Sequence, residues 1–256
     1  MKSNKELIIF DLDGTLTESK APLTEEMANA FTELLRNKSV AVISGCAFDQ
    51  FEEQFVKPLS QLNEQFPYLP NLYLLPTSGS QLYEYDSRES GFYRVYHHDL
   101  TLKEKVAIYN AWKSATLPKD FRCDPWGEVA EDRGSQITFS MCGQQAPIQV
   151  KRQYDPDASI RRAITVAMKG YLPSGFEIRI GGTTSIDVTR AGIDKAYGIE
   201  RLLKWVRLEK EAVMFVGDAL YDGGNDAAVK KTGVECHQVA GPDETLVLIQ
   251  NINKEQ

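Results

Sequence analysis

FDLDGTLTES, Phe10 to Ser19, follows the apolar run KELIIF, and the rest of the chain is read from it. A strand with no polar face ends in two aspartates, Asp11 and Asp13, and the chain then turns on Gly14. Two carboxylates about 5 Å apart repel by roughly 3 kcal/mol at an effective dielectric near 20. A divalent cation held by hard oxygen ligands would offset that repulsion.

Working outward, the same grammar repeats. TEEMANAFTELLRN carries Met27, Phe31, Leu34 and Leu35 on one helical face, and SVAVISG is a second near-continuous apolar strand. FDQFEEQFVKPL reads as a helix whose stripe of Phe48, Phe51 and Phe55 is core packing, and NLYLLPTSG is a third strand. Strand-then-helix repetition predicts a parallel sheet with right-handed crossovers. After Gly192 the pattern returns: DKAYGIERLLKWVRL is a helix, AVMFVGD a buried strand, ECHQVA another strand and PDETLVLIQNIN a last helix.

Between these halves the pattern differs. SQLYEYDSRESGFYRVYHHDL reads as a hairpin, LTLKEKVAIYNAWKSA and DPDASIRRAITVAMKGYL as helices, and GEVAEDRGSQITFSMCG and FEIRIGGTTSIDVTRAG as short strands. The expected fold is α/β: a Rossmann-like parallel-sheet core domain, residues 1–84 and 188–256, with an α+β cap domain inserted at 85–187.

Composition limits the function classes. The 256 residues are 42% hydrophobic and 25% charged, ordinary for a soluble globular chain. A net charge of -7 argues against nucleic acid or an anionic membrane as partner. No apolar run approaches the ~20 residues of a membrane span. Cys46, Cys123, Cys142 and Cys236 are scattered and form no CxxC pair. Free thiols in a cytoplasmic protein fit that distribution better than zinc or disulfides.

In a parallel sheet, ligands bind beyond the carboxyl ends of the strands. Four predicted strands end there in polar residues: Asp11 with Asp13, Ser44, Thr77 with Ser78, and Asp218. Such a set suits phosphoryl transfer. Asp11 can be the nucleophile, Asp13 the general acid and base, and Asp218 a further Mg²⁺ carboxylate. Ser44 can donate to a phosphoryl oxygen, and Lys195 can neutralise charge on the transferring group.

DLDGTLT, VISG, GIDK and VGDALYDGGND, in that order, resemble the four motifs of the haloacid dehalogenase superfamily. The resemblance implies an aspartyl-phosphate on Asp11 and Mg²⁺ held by Asp11, the backbone carbonyl of Asp13, and Asp218. It also implies phosphate ligation by Ser44 and Lys195, with Asp222 and Asp226 orienting metal waters. The insert is similar to a type 2 cap. SGCAFDQFEEQF, EDRG, GGTTSIDV and the doubled glycine of GGND extend the likeness to eukaryotic-type phosphomannomutases. In that branch the residues matching Arg133, Ser185 and Asp187 contact the sugar phosphate, and a homodimer through the cap is an expectation.

The chain departs from that branch at Lys20 and Gln144, two substrate-binding positions where the branch has arginine, and a further cap arginine is missing after Arg133. Lysine and glutamine cannot replace bidentate guanidinium bonds. Lys151, Arg152, Arg179 and Arg190 are the cations that would compensate. The leading expectation is therefore an Mg²⁺-dependent phosphatase acting on a small phosphate ester, a sugar phosphate by its cap. Second is a phosphomannomutase interconverting mannose 6-phosphate and mannose 1-phosphate. Third is a non-catalytic phosphosugar-binding module.

Overall fold

A computed structural model describes residues 5–61, 67–115 and 124–255. In chain order the principal elements are β1 (Leu7–Asp11), α1 (Glu25–Asn37), β2 (Ser39–Ile43), α2 (Phe48–Phe51), a π-helical turn at Glu52–Val56, α3 (Lys57–Gln61) and β3 (Leu72–Leu75). The turn α4 (Pro76–Gly79), β4 (Gln81–Asp86), β5 (Gly91–His97), α5 (Leu102–Ser114), β6 (Ala130–Asp132) and β7 (Gln136–Ser140) follow. Then come α6 (Ile148–Tyr154), α7 (Ser159–Lys169), β8 (Phe176–Gly181), β9 (Ser185–Arg190), α8 (Lys195–Val206), β10 (Val213–Gly217), β11 (Glu235–Gln238) and α9 (Pro242–Lys254).

The strands form two sheets, β11-β10-β1-β2-β3-β4-β5 and β6-β7-β9-β8. In the first, β11 through β3 are parallel, and β4 and β5 add antiparallel at one edge. Alternation along β1 divides its side chains between two cores. Ile8 and Phe10 pack with Phe31, Phe51, Phe55 and Ile249 on the side of α1 and α9; Leu7 and Ile9 pack with Ile199 and Leu202 of α8. Burial on both faces explains why these strands read as unbroken apolar runs. Thr24 caps α1 by accepting from Met27 N, with Glu25 and Glu26 in its first turn.

The chain divides into two compact units, residues 1–97 with 193–256, and residues 98–192. The boundaries expected at 84/85 and 187/188 instead cut through β4 and β9. The hairpin 81–97 belongs to the larger sheet because β4 pairs with β3 (Leu74 opposite Tyr83) and Tyr83 stacks on Phe48 at 3.9 Å. In the second unit Ile137, Phe139, Ile186 and Val188 turn towards Ile108 of α5 and Ile164 and Met168 of α7. The other side of that sheet is polar. Glu131, Thr138, Asp187 and Arg179 stand opposite one another in a row across its four strands.

No helix among the described residues is long and apolar enough to cross a membrane. Cys46, Cys142 and Cys236 are not in disulfides. Cys123 lies outside the described residues.

Candidate active site

Parallel strands bring their carboxyl ends to one edge of the first unit, and the polar residues meet there. Asp11, the last residue of β1, is 1% exposed. Lys195 opens α8, whose N-cap Asp194 accepts from Tyr197 N at 3.0 Å. Its Nζ lies 2.5 Å from Asp11 Oδ1 and 2.5 Å from Asp226 Oδ1. Asp226 is fully buried, and its second oxygen accepts from Ala219 N at 3.1 Å, closing the loop after β10. Asp218, at the head of that loop, accepts from Thr15 Oγ1 at 3.3 Å.

One ammonium thus faces two buried carboxylates, with Asp218 close by. Burial, with added repulsion from Asp226 and Asp13, pushes Asp11 up to about 8 against the opposing pull of Lys195. Burial disfavours charge on Lys195, but Asp11 and Asp226 outweigh it and hold the lysine above its ordinary range. Asp218 is raised by burial and then by Asp226. Such shifts cluster where chemistry is done.

The arrangement fits a divalent cation. Oxygens of Asp11, Asp218 and Asp226 lie within 4.8 Å of one another, and among the described residues no hydrogen-bond donor reaches the buried Asp11 Oδ2. An orphaned buried oxygen in an acidic cluster needs a proton or a cation. Gly14 leaves the space clear, since a Cβ there would stand 2.8 Å from Asp218 Oδ2 and its φ is +88°. Mg²⁺, which prefers carboxylates and water, suits this donor set.

Ser44 follows β2, whose Ile43 pairs with Asp11. Its backbone is locked by Ser78 N at 2.8 Å, and its Oγ accepts from Cys46 N at 3.2 Å. Asp13 is half-buried and accepts through Oδ1 from Lys20 N at 2.7 Å and from Gln54 Nε2 at 3.3 Å. Lys20 itself is exposed, with φ +60°. It reaches this site through its backbone N–H. Asp222 is exposed, unlike Asp226.

Arg133, Ser185 and Asp187 lie on the polar side of the second unit's sheet. Asp187 accepts from Thr138 Oγ1 at 2.7 Å; burial raises it and Arg133 opposes the rise. Arg133 pairs with Glu131 at 2.7 Å, and Arg179 pairs with Glu177. Ser185 is half-buried opposite Ser140. Gln144 is turned inward to Val129 O at 3.2 Å and takes Lys151 Nζ on its carbonyl at 3.0 Å, so it ties a loop together. Arg190 is bidentate to Glu104 at 2.8 and 2.6 Å. Of the cations expected to compensate for missing arginines, Lys151 and Arg190 are thus held in internal bonds.

Sequence reasoning gave Asp226 only a minor part and missed Gln54. A lone glutamine between Phe51 and Phe55 carries no signal until the π-helical turn is seen.

A family model described as eukaryotic phosphomannomutase matches residues 117–255. A Caenorhabditis elegans protein named "Probable phosphomannomutase" is 26% identical over 266 residues, covering 99% of this chain and 97% of that protein. Among solved structures, a haloacid dehalogenase-like hydrolase from Bacteroides thetaiotaomicron superposes with TM-score 0.60 at 16% identity, covering 97% of this chain and 99% of that one. An N-terminally truncated IMP-nucleotidase from Plasmodium falciparum gives TM-score 0.67 at 18% identity, covering 97% and 70%. These structural likenesses show a shared haloacid dehalogenase-type fold. The chain is a haloacid dehalogenase superfamily phosphotransferase belonging to the eukaryotic phosphomannomutase family.

Proposed function

We propose that this protein is an Mg²⁺-dependent phosphomannomutase that moves a phosphoryl group on a mannose phosphate through Asp11. The observation that carries the reading is the buried Asp11, within 2.5 Å of Lys195, in a chain whose relatives bear the name phosphomannomutase along almost their whole length. Asp11 attacks phosphorus and forms an aspartyl-phosphate while Asp13 protonates the leaving sugar oxygen. Asp13 then takes the proton from an incoming sugar hydroxyl, which attacks the aspartyl-phosphate and frees Asp11. Lys195 and the Ser44 hydroxyl face the charge on the transferring group. Asp11, the Asp13 carbonyl and Asp218 would hold Mg²⁺, which supplies charge neutralisation at the phosphoryl oxygens. Arg133, Ser185 and Asp187 are the proposed sugar-phosphate contacts, and Lys20 and Gln144 contribute structure more than charge. A cytoplasmic location and a cap-mediated homodimer belong to the same reading.

Hydrolysis, the leading expectation from sequence, is the second reading, with water in place of the sugar hydroxyl. Its support is the charge on the polar side of the second unit's sheet. There the strands and their turn contribute Arg133 and Arg179, each already facing a glutamate, among the described residues. A mutase must also bind the non-reacting phosphate, which asks for cations not already paired.

The test uses mannose 1-phosphate, Mg²⁺ and catalytic hexose 1,6-bisphosphate. The mutase reading expects isomerisation that depends on the bisphosphate, with little inorganic phosphate. Phosphate release without the bisphosphate would replace it with hydrolysis. Neither activity, together with unchanged sugar-phosphate binding in Asp11→Asn, would leave a binding module.

A further inference from the structure

Two donors bear on the Asp13 carboxyl, and they do so asymmetrically. Lys20 N (2.7 Å) and Gln54 Nε2 (3.3 Å) both donate to Oδ1. No donor to Oδ2 occurs among the described contacts. An oxygen that already accepts two N–H groups is the poorer site for a proton, so Oδ2 is the oxygen left open to pass one to or from a substrate.

Gln54 is built for this contact. It is 4% exposed and sits in the π-helical turn Glu52–Val56. Wide turns of this kind often mark functional sites. Its carboxamide could face either way, but Gln50 Nε2 donates to Gln54 Oε1 at 2.5 Å. That bond and the Ala21 carbonyl, which can only accept (3.1 Å), together turn the Gln54 amide nitrogen towards Asp13, while Gln54 O accepts from Leu23 N at 2.7 Å. The turn thus braces both Asp13 and the segment 20–23 that supplies its second donor.

We propose that Gln54, oriented by Gln50, is a positioning residue that fixes the Asp13 carboxyl so that Oδ2 presents the proton to the leaving oxygen. Gln54 does not touch substrate. The proposal rests on the phosphotransfer reading, with Asp13 as acid and base, and it can fail separately from that reading.

The consequence is selective for the leaving group. A sugar alkoxide needs its proton; 4-nitrophenolate leaves without one. In the full-length protein with Mg²⁺, single-turnover formation of the aspartyl-phosphate is followed from mannose 1-phosphate and from 4-nitrophenyl phosphate. Gln54→Met keeps the volume and removes the donor. It should slow phosphoenzyme formation from the sugar phosphate about 10- to 100-fold, no more than the lower limit of what acid–base catalysis contributes, because Asp13 itself remains. The aryl ester should change less than about threefold, and KM for the sugar phosphate should hold. Gln50→Met, which only frees the amide to rotate, should show the same selectivity at smaller size. Equal losses on both substrates, or a loss confined to KM, would overturn the proposal. If wild type forms no phosphoenzyme from either compound, the phosphotransfer reading itself has failed. If Gln54→Met does not fold, Gln50→Met carries the same test.

Discussion

Asp226 is fully buried, and its carboxylate meets the ammonium of Lys195 at 2.5 Å. Lys195 thereby bridges Asp11, the proposed nucleophile, and the loop that carries Asp218. Asp226→Asn keeps the acceptor for Ala219 N but removes one of the two charges that hold the lysine. Groups that orient an active carboxylate or a metal ligand are worth about 10- to 100-fold in metal affinity or activity. Asp226→Asn is expected to lose that much in phosphoenzyme rate or Mg²⁺ affinity while keeping the fold. Kinetics and metal titration of the purified variant within threefold of wild type would contradict this role.

The burial of Asp11 gives a sign for pH. An unfolded aspartate titrates near 3.9, whereas burial raises folded Asp11 to about 8. Between those values the folded state holds a proton that the unfolded state lacks, so metal-free stability should fall as pH rises from about 4 to about 8. Mg²⁺ bound at Asp11, as proposed, would have to displace that proton. Its apparent affinity should therefore increase with pH, by up to about tenfold per unit for one proton, and level off above about pH 8. Calorimetry in two buffers of different ionisation enthalpy would read the released proton directly. A metal affinity that stays flat between pH 6 and 8 is incompatible with a protonated Asp11.

Arg190 belongs to the architecture of the second unit. Besides its two bonds to Glu104 it donates to His98 O at 2.9 Å and Asp99 O at 3.0 Å, so it ties β9 to the segment that leads into α5. Glu104 also closes the capping box with Thr101. The Arg190 hydrogen bonds first, then those from Thr101, lower Glu104 to about 2. A depressed carboxylate stabilises above its unfolded pKa, and that stability is lost as pH falls from about 4.5 towards 2. Arg190→Met should cost about 1–2 kcal/mol at pH 7, discounted for solvent access, and less at pH 3. Denaturant melts at the two pH values measure this, and an equal loss at both would assign the effect to packing.

Much of the candidate site's convergence is legible in the sequence because strand ends are legible. Asp11, Ser44 and Asp218 each terminate an apolar run, and a parallel sheet must bring such ends to one edge. Lys195 needed the motif order as well. Asp226 was seen only as a loop acid, because its burial depends on the loop folding back so that Asp226 N reaches Ala219 O. Gln54 was invisible for a different reason. A 3.6-residue period assigns it to the flank of the Phe51 and Phe55 stripe, and the wide turn that carries it inward leaves no mark on the pattern. The hairpin 81–97 was recognised as a hairpin. Local sequence does not say which edge a hairpin joins, and stacking of Tyr83 on Phe48 decides that.

A last expectation concerns the placement of α8. Gly198, three residues after Lys195, lies against the turn α4. A Cβ on it would stand 2.7 Å from Ser78 O and 2.8 Å from Gly79 Cα. That turn has little room to yield, since Thr77 and Ser78 already hold φ of 49° and 58°, and Ser78 N is bonded to Ser44 O. Two effects of Gly198→Ala therefore oppose each other. Helix propensity favours alanine over glycine by about 1 kcal/mol, whereas overpacking costs about 1–3 kcal/mol. Contact with backbone, not with a flexible side chain, makes the steric effect the larger one. Gly198→Ala should lower the melting temperature and also slow phosphoenzyme formation, because moving α8 off the turn moves Lys195 relative to Asp11. A variant that melts above wild type would mean that propensity wins and that the approach of α8 to the β3 turn does not set the lysine.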